Sequence, residues 1–239
     1  MKRMVLVLLV AVFTACAGTC EEKVVQLVED GQFTVAQNES KTCGAKGDEL
    51  VRIAAFLYHG AGIADSSLAY LQKASAKTPK DPRIQLRIAE VMVWKKSFAA
   101  ARDIVATVDA KRIRKEQRPW ESMTRMANIH VYLQDFGKAE AEFLAVANDP
   151  DTPSSWATSA RLYIAQIAAW KKDFARCIAV TDSVLRSIPG NVQASLLKGQ
   201  VLEWQGKYDT ARAVYTQAIQ KHPDDWRLRD RLEKLSWVK

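Results

Sequence analysis

From Val192 to Pro223, apolar and small residues recur every three or four positions in two runs separated by a break. Leu196, Gly199 and Leu202 share one face of a helix, and Tyr208, Ala211, Tyr215 and Ala218 share one face of a second. Gln205-Gly206 separates them, because glycine adopts tight-turn backbone angles at no steric cost. Pro223 stops the second helix. The pattern predicts an antiparallel helix pair, and the small residues Gly199 and Ala211 predict that its two axes approach closely.

The same landmarks recur upstream. Trp204, Tyr208, Ala211 and Pro223 have counterparts 34 residues earlier in Trp170, Phe174, Cys177 and Pro189. A further 38 residues back stand Tyr132, Phe136 and Ala139, and 38 more give Trp94, Phe98 and Ala101. A weaker copy lies 34 before that, in Ala64, Ser67, Leu71, Ala74 and Pro79. A fixed period of this size separates a stack of repeats from an ordinary helical bundle.

The unit resembles the tetratricopeptide repeat, a 34-residue helix-turn-helix. The resemblance implies an all-α, right-handed superhelical solenoid of about five repeats, at 48–81, 82–115, 120–153, 158–191 and 192–225. Residues 226–239 are then a capping helix, in which Asp224-Asp225 starts a segment whose Trp226, Leu228, Leu232 and Leu235 cover repeat five. Repeats two and three each carry four extra residues, near Lys111–Arg118 and Asn148–Ser155. These are expected to lengthen the second helix or loosen the joint.

In this family the first helices line a concave groove. Transferred by repeat position, the groove holds Arg52 and Phe56 from repeat one, and Arg87, Glu90 and Trp94 from repeat two. Repeat three adds Arg125, Asn128 and Tyr132, repeat four adds Tyr163, Gln166 and Trp170, and repeat five adds Gln200 and Trp204. The position-13 aromatics among them have two readings, as braces between successive repeats or as a ligand surface. Chaperone-binding members clamp a C-terminal carboxylate with Lys and Asn, but Phe56 and Glu90 stand where that clamp needs Asn. The resemblance therefore implies a protein-binding scaffold whose partner segment carries acidic groups, since guanidinium pairs well with carboxylate. The alternative is a structural subunit that self-assembles, or supports polysaccharide export, through its outer faces. Pilotin-type and outer-membrane assembly lipoproteins are similar in style.

Met1-Lys2-Arg3 and the apolar run Met4–Phe13 form the charged and hydrophobic parts of an export signal, too short to span a bilayer. Residues 1–15 are read as that signal. Phe13-Thr14-Ala15-Cys16 resembles a bacterial lipobox, with Phe13 a departure, and implies a lipid on Cys16 and a periplasmic, outer-membrane-anchored protein. Plain cleavage after Ala17 and a retained anchor stay open. Residues 16–47 are read as a tether or N-terminal cap, with a short helix over Glu21–Glu29 and a polar stretch from Gln32 to Lys46. Cys20 and Cys43 either form a disulfide or stand as two thiols. Cys177, at a small position of the repeat, is expected to be buried and inert.

The net charge of +8 falls to +6 without Lys2 and Arg3. The densest basic run, Lys111-Arg112-Ile113-Arg114-Lys115 with Arg118, lacks the interleaved aromatics of a single-strand-binding surface, so no nucleic-acid partner is expected. His59, His130 and His222 are isolated in sequence, and Glu140 and Glu142 fall on different helix faces. Neither a catalytic site nor a cofactor or metal is expected.

Overall fold

The computed structural model describes residues 20–30, 32–42, 53 and 64–237, and every regular element among them is an α-helix. The chain divides into two compact units, one up to Pro79 and one from Lys80.

In the first unit, α1 (Cys20–Glu29) packs on α2 (Phe33–Thr42), with Val24, Val28 and Ala36 buried. Helix α2 lies within the polar stretch Gln32–Lys46, read from sequence as a tether or N-terminal cap. Its polar composition concealed it, because Ala36 is buried while Gln37 and Glu39 are only half-buried and the other described positions are exposed. The amide of Gln37 donates to the hydroxyl of Ser66 at 2.5 Å, joining α2 to α3 (Ala64–Lys77). On α3 the repeat-like positions Ser67, Leu71 and Ala74 are buried. Cys20 is disulfide-bonded, its partner lying outside the described residues, as does Cys43. Cys16, Arg52, Phe56 and the export signal also lie outside them.

The second unit stacks helix pairs: α4 (Pro82–Trp94) with α5 (Phe98–Ala106), α7 (Pro119–Tyr132) with α8 (Phe136–Asn148), α9 (Ser154–Trp170) with α10 (Phe174–Ser187), and α11 (Val192–Trp204) with α12 (Tyr208–Ile219). Each pair closes on small residues. Ala89, Ala127 and Ala165 on the first helices are fully buried, and so are Ala101, Ala139, Cys177 and Ala211 on the second. Gly199 plays the same part in the last pair, where a Cβ would overlap the Tyr215 ring of α12. Second helices then pack on the next first helix, α8 on α9 and α10 on α11.

The two insertions behave differently from each other, and neither lengthens a second helix. After repeat two the second helix is not lengthened. It stops at Ala106, and a single turn, α6 (Ala110–Ile113), follows, started by Asp109, whose carboxylate accepts from the Lys111 N–H at 2.9 Å. Ile113 is driven fully into the core beside Leu86, Val105 and Ile129, while the basic side chains around it stay exposed. The second insertion extends the first helix of repeat four backwards to Ser154, because Pro153 supplies a fixed φ of −55° just ahead of the first turn.

Helix α13 (Trp226–Ser236) starts where Asp225 accepts from the N–H groups of Arg227 and Leu228. It covers the last pair with Leu228 and Leu235 buried and Leu232 partly so. Trp226, expected to share that task, is instead 70% exposed, because it is the first residue of the helix and its turn projects beyond the Tyr215 cluster.

Candidate interaction surface

Residues three and four apart on a helix share a face, and each first helix carries its candidate residues at that spacing: Arg87, Glu90 and Trp94 on α4, then Arg125, Asn128 and Tyr132 on α7. Tyr163, Gln166 and Trp170 follow on α9, and Gln200 and Trp204 on α11. Asn128, Gln166 and Gln200 are half-buried, and the four terminal aromatics are exposed.

Electrostatics sorts the two arginines of this face. The guanidinium of Arg125 is engaged by the Glu90 carboxylate of the preceding repeat, so the cation offered in sequence to a ligand is already neutralised. Arg87 is half-buried, and its guanidinium has no hydrogen-bond or ion-pair partner among the described residues. Burial first, and the neighbouring Arg125 second, lower its pKa to about 10, with Glu90 and Glu121 opposing. A half-desolvated guanidinium without a partner is costly to the fold and attractive to an anion.

Glu90–Arg125 belongs to a series that sequence reading missed. Glu140 engages Arg176 between repeats three and four, Lys198 reaches Asp182 at 2.7 Å between repeats four and five, and Arg231 reaches Glu203 at 3.5 Å between repeat five and the cap. Each joint of the second unit thus carries an ion pair. The signal was faint, since such partners come from different repeats and vary in position. His130, isolated in sequence, is buried with its Nδ1 2.8 Å from Glu142. Cys177 is buried and free, and burial, aided by Asp173, pushes its thiol up to about 11.

The aromatics do brace the stack where their contacts are defined. Trp170 leans on Phe136 with ring centroids 5.9 Å apart, and Trp204 on Phe174 at 6.0 Å, each bridging to the preceding repeat. Tyr163 stacks on the buried Phe143, 4.8 Å away and nearly parallel. On the other side of the stack, Leu144, Ala147, Arg161, Ile164 and Val180 line an open recess of about 310 Å³ between α8, α9 and α10.

Residues 192–235 match the family model described as tetratricopeptide repeat. The chain has the tetratricopeptide-repeat fold. Among solved structures, it is similar to YrrB, described as a tetratricopeptide-repeat protein with an unusual peptide-binding site. The TM-score is 0.51 at 18% identity, covering 83% of this chain and 96% of that one. It is also similar to PilF of Pseudomonas aeruginosa, with a TM-score of 0.55 at 12% identity, covering 90% and 97% of the two chains. Against the Cut9–Hcn1 hetero-tetramer of the APC/C the TM-score is 0.61 at 10% identity, with 90% of this chain matching 42% of that one. No curated protein matches the chain in sequence. Tetratricopeptide repeats generally mediate protein–protein interaction and typically serve as non-catalytic scaffolds.

Proposed function

We propose that this chain is a non-catalytic adaptor that receives a segment of a partner protein on the first-helix face of repeats two to four, and that a carboxylate of that segment docks on Arg87. The observation that carries the reading is the half-buried Arg87, with no hydrogen-bond or ion-pair partner among the described residues, beside the neutralised Glu90–Arg125 pair. The peptide-binding site of the structurally similar YrrB supports a peptide as the class of ligand. Asn128 and Gln166 supply hydrogen bonds to an extended backbone, and Tyr132 and Tyr163 supply ring surface at low entropy cost. The partner is proposed to be a client of the bacterial envelope, met by a chain exported through residues 1–15 and held at the outer membrane by a lipid on Cys16. Mass spectrometry of the native N-terminus tests that part.

The groove is tested by capturing the partner from native envelopes, mapping the bound segment and titrating it by calorimetry. A charge-assisted hydrogen bond is worth about 1.5–3 kcal/mol, so Arg87→Ala is expected to weaken binding about tenfold or more. Glu90→Gln, which releases Arg125, is expected to strengthen it. If Arg87→Ala binds like wild type and substitution of Lys111 and Arg112 abolishes binding, the groove is not the interface.

A further inference from the structure

The turns between first and second helices repeat one arrangement, whose leading rings end the first-helix face. They read Trp94-Lys95-Lys96-Ser97-Phe98, Tyr132-Leu133-Gln134-Asp135-Phe136, Trp170-Lys171-Lys172-Asp173-Phe174 and Trp204-Gln205-Gly206-Lys207-Tyr208. Because the helices of each pair are antiparallel and the pairs stack, these four turns lie along one edge of the second unit. The leading ring of each turn is between 48% and 66% exposed, and Phe98 and Tyr208 are exposed as well.

The lysines carry a backbone cost. The third residue of each turn is left-handed, with φ of 58° at Lys96, 61° at Gln134, 61° at Lys172 and 73° at Gly206. Left-handed backbone disfavours a residue with a Cβ, and Gly206 meets the requirement without one. The fold therefore gives no reason for lysine at 96 and 172. Both side chains are exposed, and with Lys171 and Lys207 they have no ion-pair partner among the described residues. The acids of the same turns are already engaged: Asp135 with Lys138 at 2.9 Å, Asp209 with Arg212 at 2.7 Å, and Asp173 with the Arg176 N–H at the start of α10. The Asp173 carboxylate keeps its charge, but lysines outnumber acids in the four turns, so the edge carries a net positive charge between its rings, and Trp170 and Trp204 are held on one side by Phe136 and Phe174.

We propose that this turn edge of repeats two to five is a peripheral docking surface for an anionic lipid bilayer. Tryptophan and tyrosine settle at the headgroup level, and lysine extends its apolar stem among them while its ammonium meets lipid phosphate. A row of projecting tips suits a plane better than a recess suits a chain. No helix among the described residues is long and apolar enough to cross a membrane, so the contact is superficial. The edge shares Tyr132 with the face proposed for the partner segment, but the inference rests on the turn lysines and does not depend on the groove's ligand.

The test is partitioning of the full chain into phosphatidylcholine vesicles with and without about one third phosphatidylglycerol. The readouts are the anionic-to-neutral ratio and the quenching of tryptophan by brominated acyl chains. A basic residue near an anionic surface contributes about a fivefold factor. Lys96→Gly/Lys172→Gly is therefore expected to lower the ratio roughly thirtyfold while its thermal stability holds or rises, which separates lost contact from lost fold. Trp94→Ser is expected to reduce quenching. Lys111→Gln/Arg112→Gln, at the opposite edge, is expected to leave the ratio within about twofold. Equal partitioning into neutral and anionic vesicles would overturn the proposal. So would loss only in the Lys111/Arg112 variant, or binding of a soluble anionic polysaccharide without anionic-vesicle preference.

Discussion

Gly199→Ala is the sharpest perturbation this fold offers, because at most helical positions the same change stabilises. In an exposed helix interior, alanine gains about 1 kcal/mol over glycine. At Gly199 the new methyl would overlap Cε1 and Cζ of Tyr215 and stand 2.6 Å from its hydroxyl. Tyr215 cannot yield freely. It is fully buried, and its hydroxyl donates to Glu203 at 2.5 Å, with burial, then that carboxylate, pushing the phenol pKa well above the ordinary value. Overpacking costs about 1–3 kcal/mol, and losing a hydrogen bond to a charged group costs about 1.5–3 kcal/mol. Set against the propensity gain, the net expectation is a loss of about 1.5–5 kcal/mol. Urea titration followed by far-ultraviolet circular dichroism measures it. In the double variant Gly199→Ala/Tyr215→Leu the methyl occupies space the ring vacated, so the two changes should couple favourably by more than about 1 kcal/mol. A stabilised single variant, or strict additivity in the double, would refute the close-approach argument.

Gly137 on α8 is the matched control: a Cβ there meets nothing within 4 Å, so Gly137→Ala is expected to stabilise by about 0.5–1 kcal/mol in the same titration. Gly206, with φ of 73°, has equal space but the wrong backbone, and Gly206→Ala is expected to cost about 1 kcal/mol. Two carboxyls flanking repeat two, Asp81 before it and Glu116 after it, are shifted in opposite directions. Burial raises the Glu116 carboxyl above its ordinary value of 4.5, with the Ser122 hydroxyl opposing, and one of its buried oxygens has no partner. Its penalty is in force above the raised folded value and is relieved as pH falls through that value towards 4.5. Glu116→Gln should therefore gain a few tenths of a kcal/mol at pH 7 after solvent screening, and the gain should shrink in acid melts. For Asp81, burial pushes upward, but the Arg83 side chain, backbone N–H and charge together hold the carboxyl below 3.8. Its contribution is complete above 3.8 and is lost as pH falls through the depressed folded value, so Asp81→Asn should flatten the acid limb of a pH–stability profile.

Much of the second unit was legible because the repeat writes its core in small residues. The two helices of a pair can approach closely only where side chains are small, so Gly199 with Ala101, Ala139, Cys177 and Ala211 marked the buried seam by spacing along the chain, and the structure adds Ala89, Ala127 and Ala165. The end of the stack was legible through Asp225 and the spacing of Leu228 and Leu235. Polar composition gave no sign of the ten-residue helix α2, which needs little apolar surface, and Trp226 was misplaced because helical spacing fixes a face but not how far a neighbour extends beneath it. The destination of the four-residue insertions was undetermined by period alone, since Pro153 and Ile113 acted on opposite sides of their joints. Periodicity placed Arg87, Glu90 and Arg125 on one surface, but only the three-dimensional arrangement decided that Glu90 pairs with Arg125 and that Arg87 has no ion-pair partner among the described residues. Facing is set by the chain's local geometry, whereas pairing depends on which long side chains span the gap between repeats, a distance that exists only once the helices are stacked.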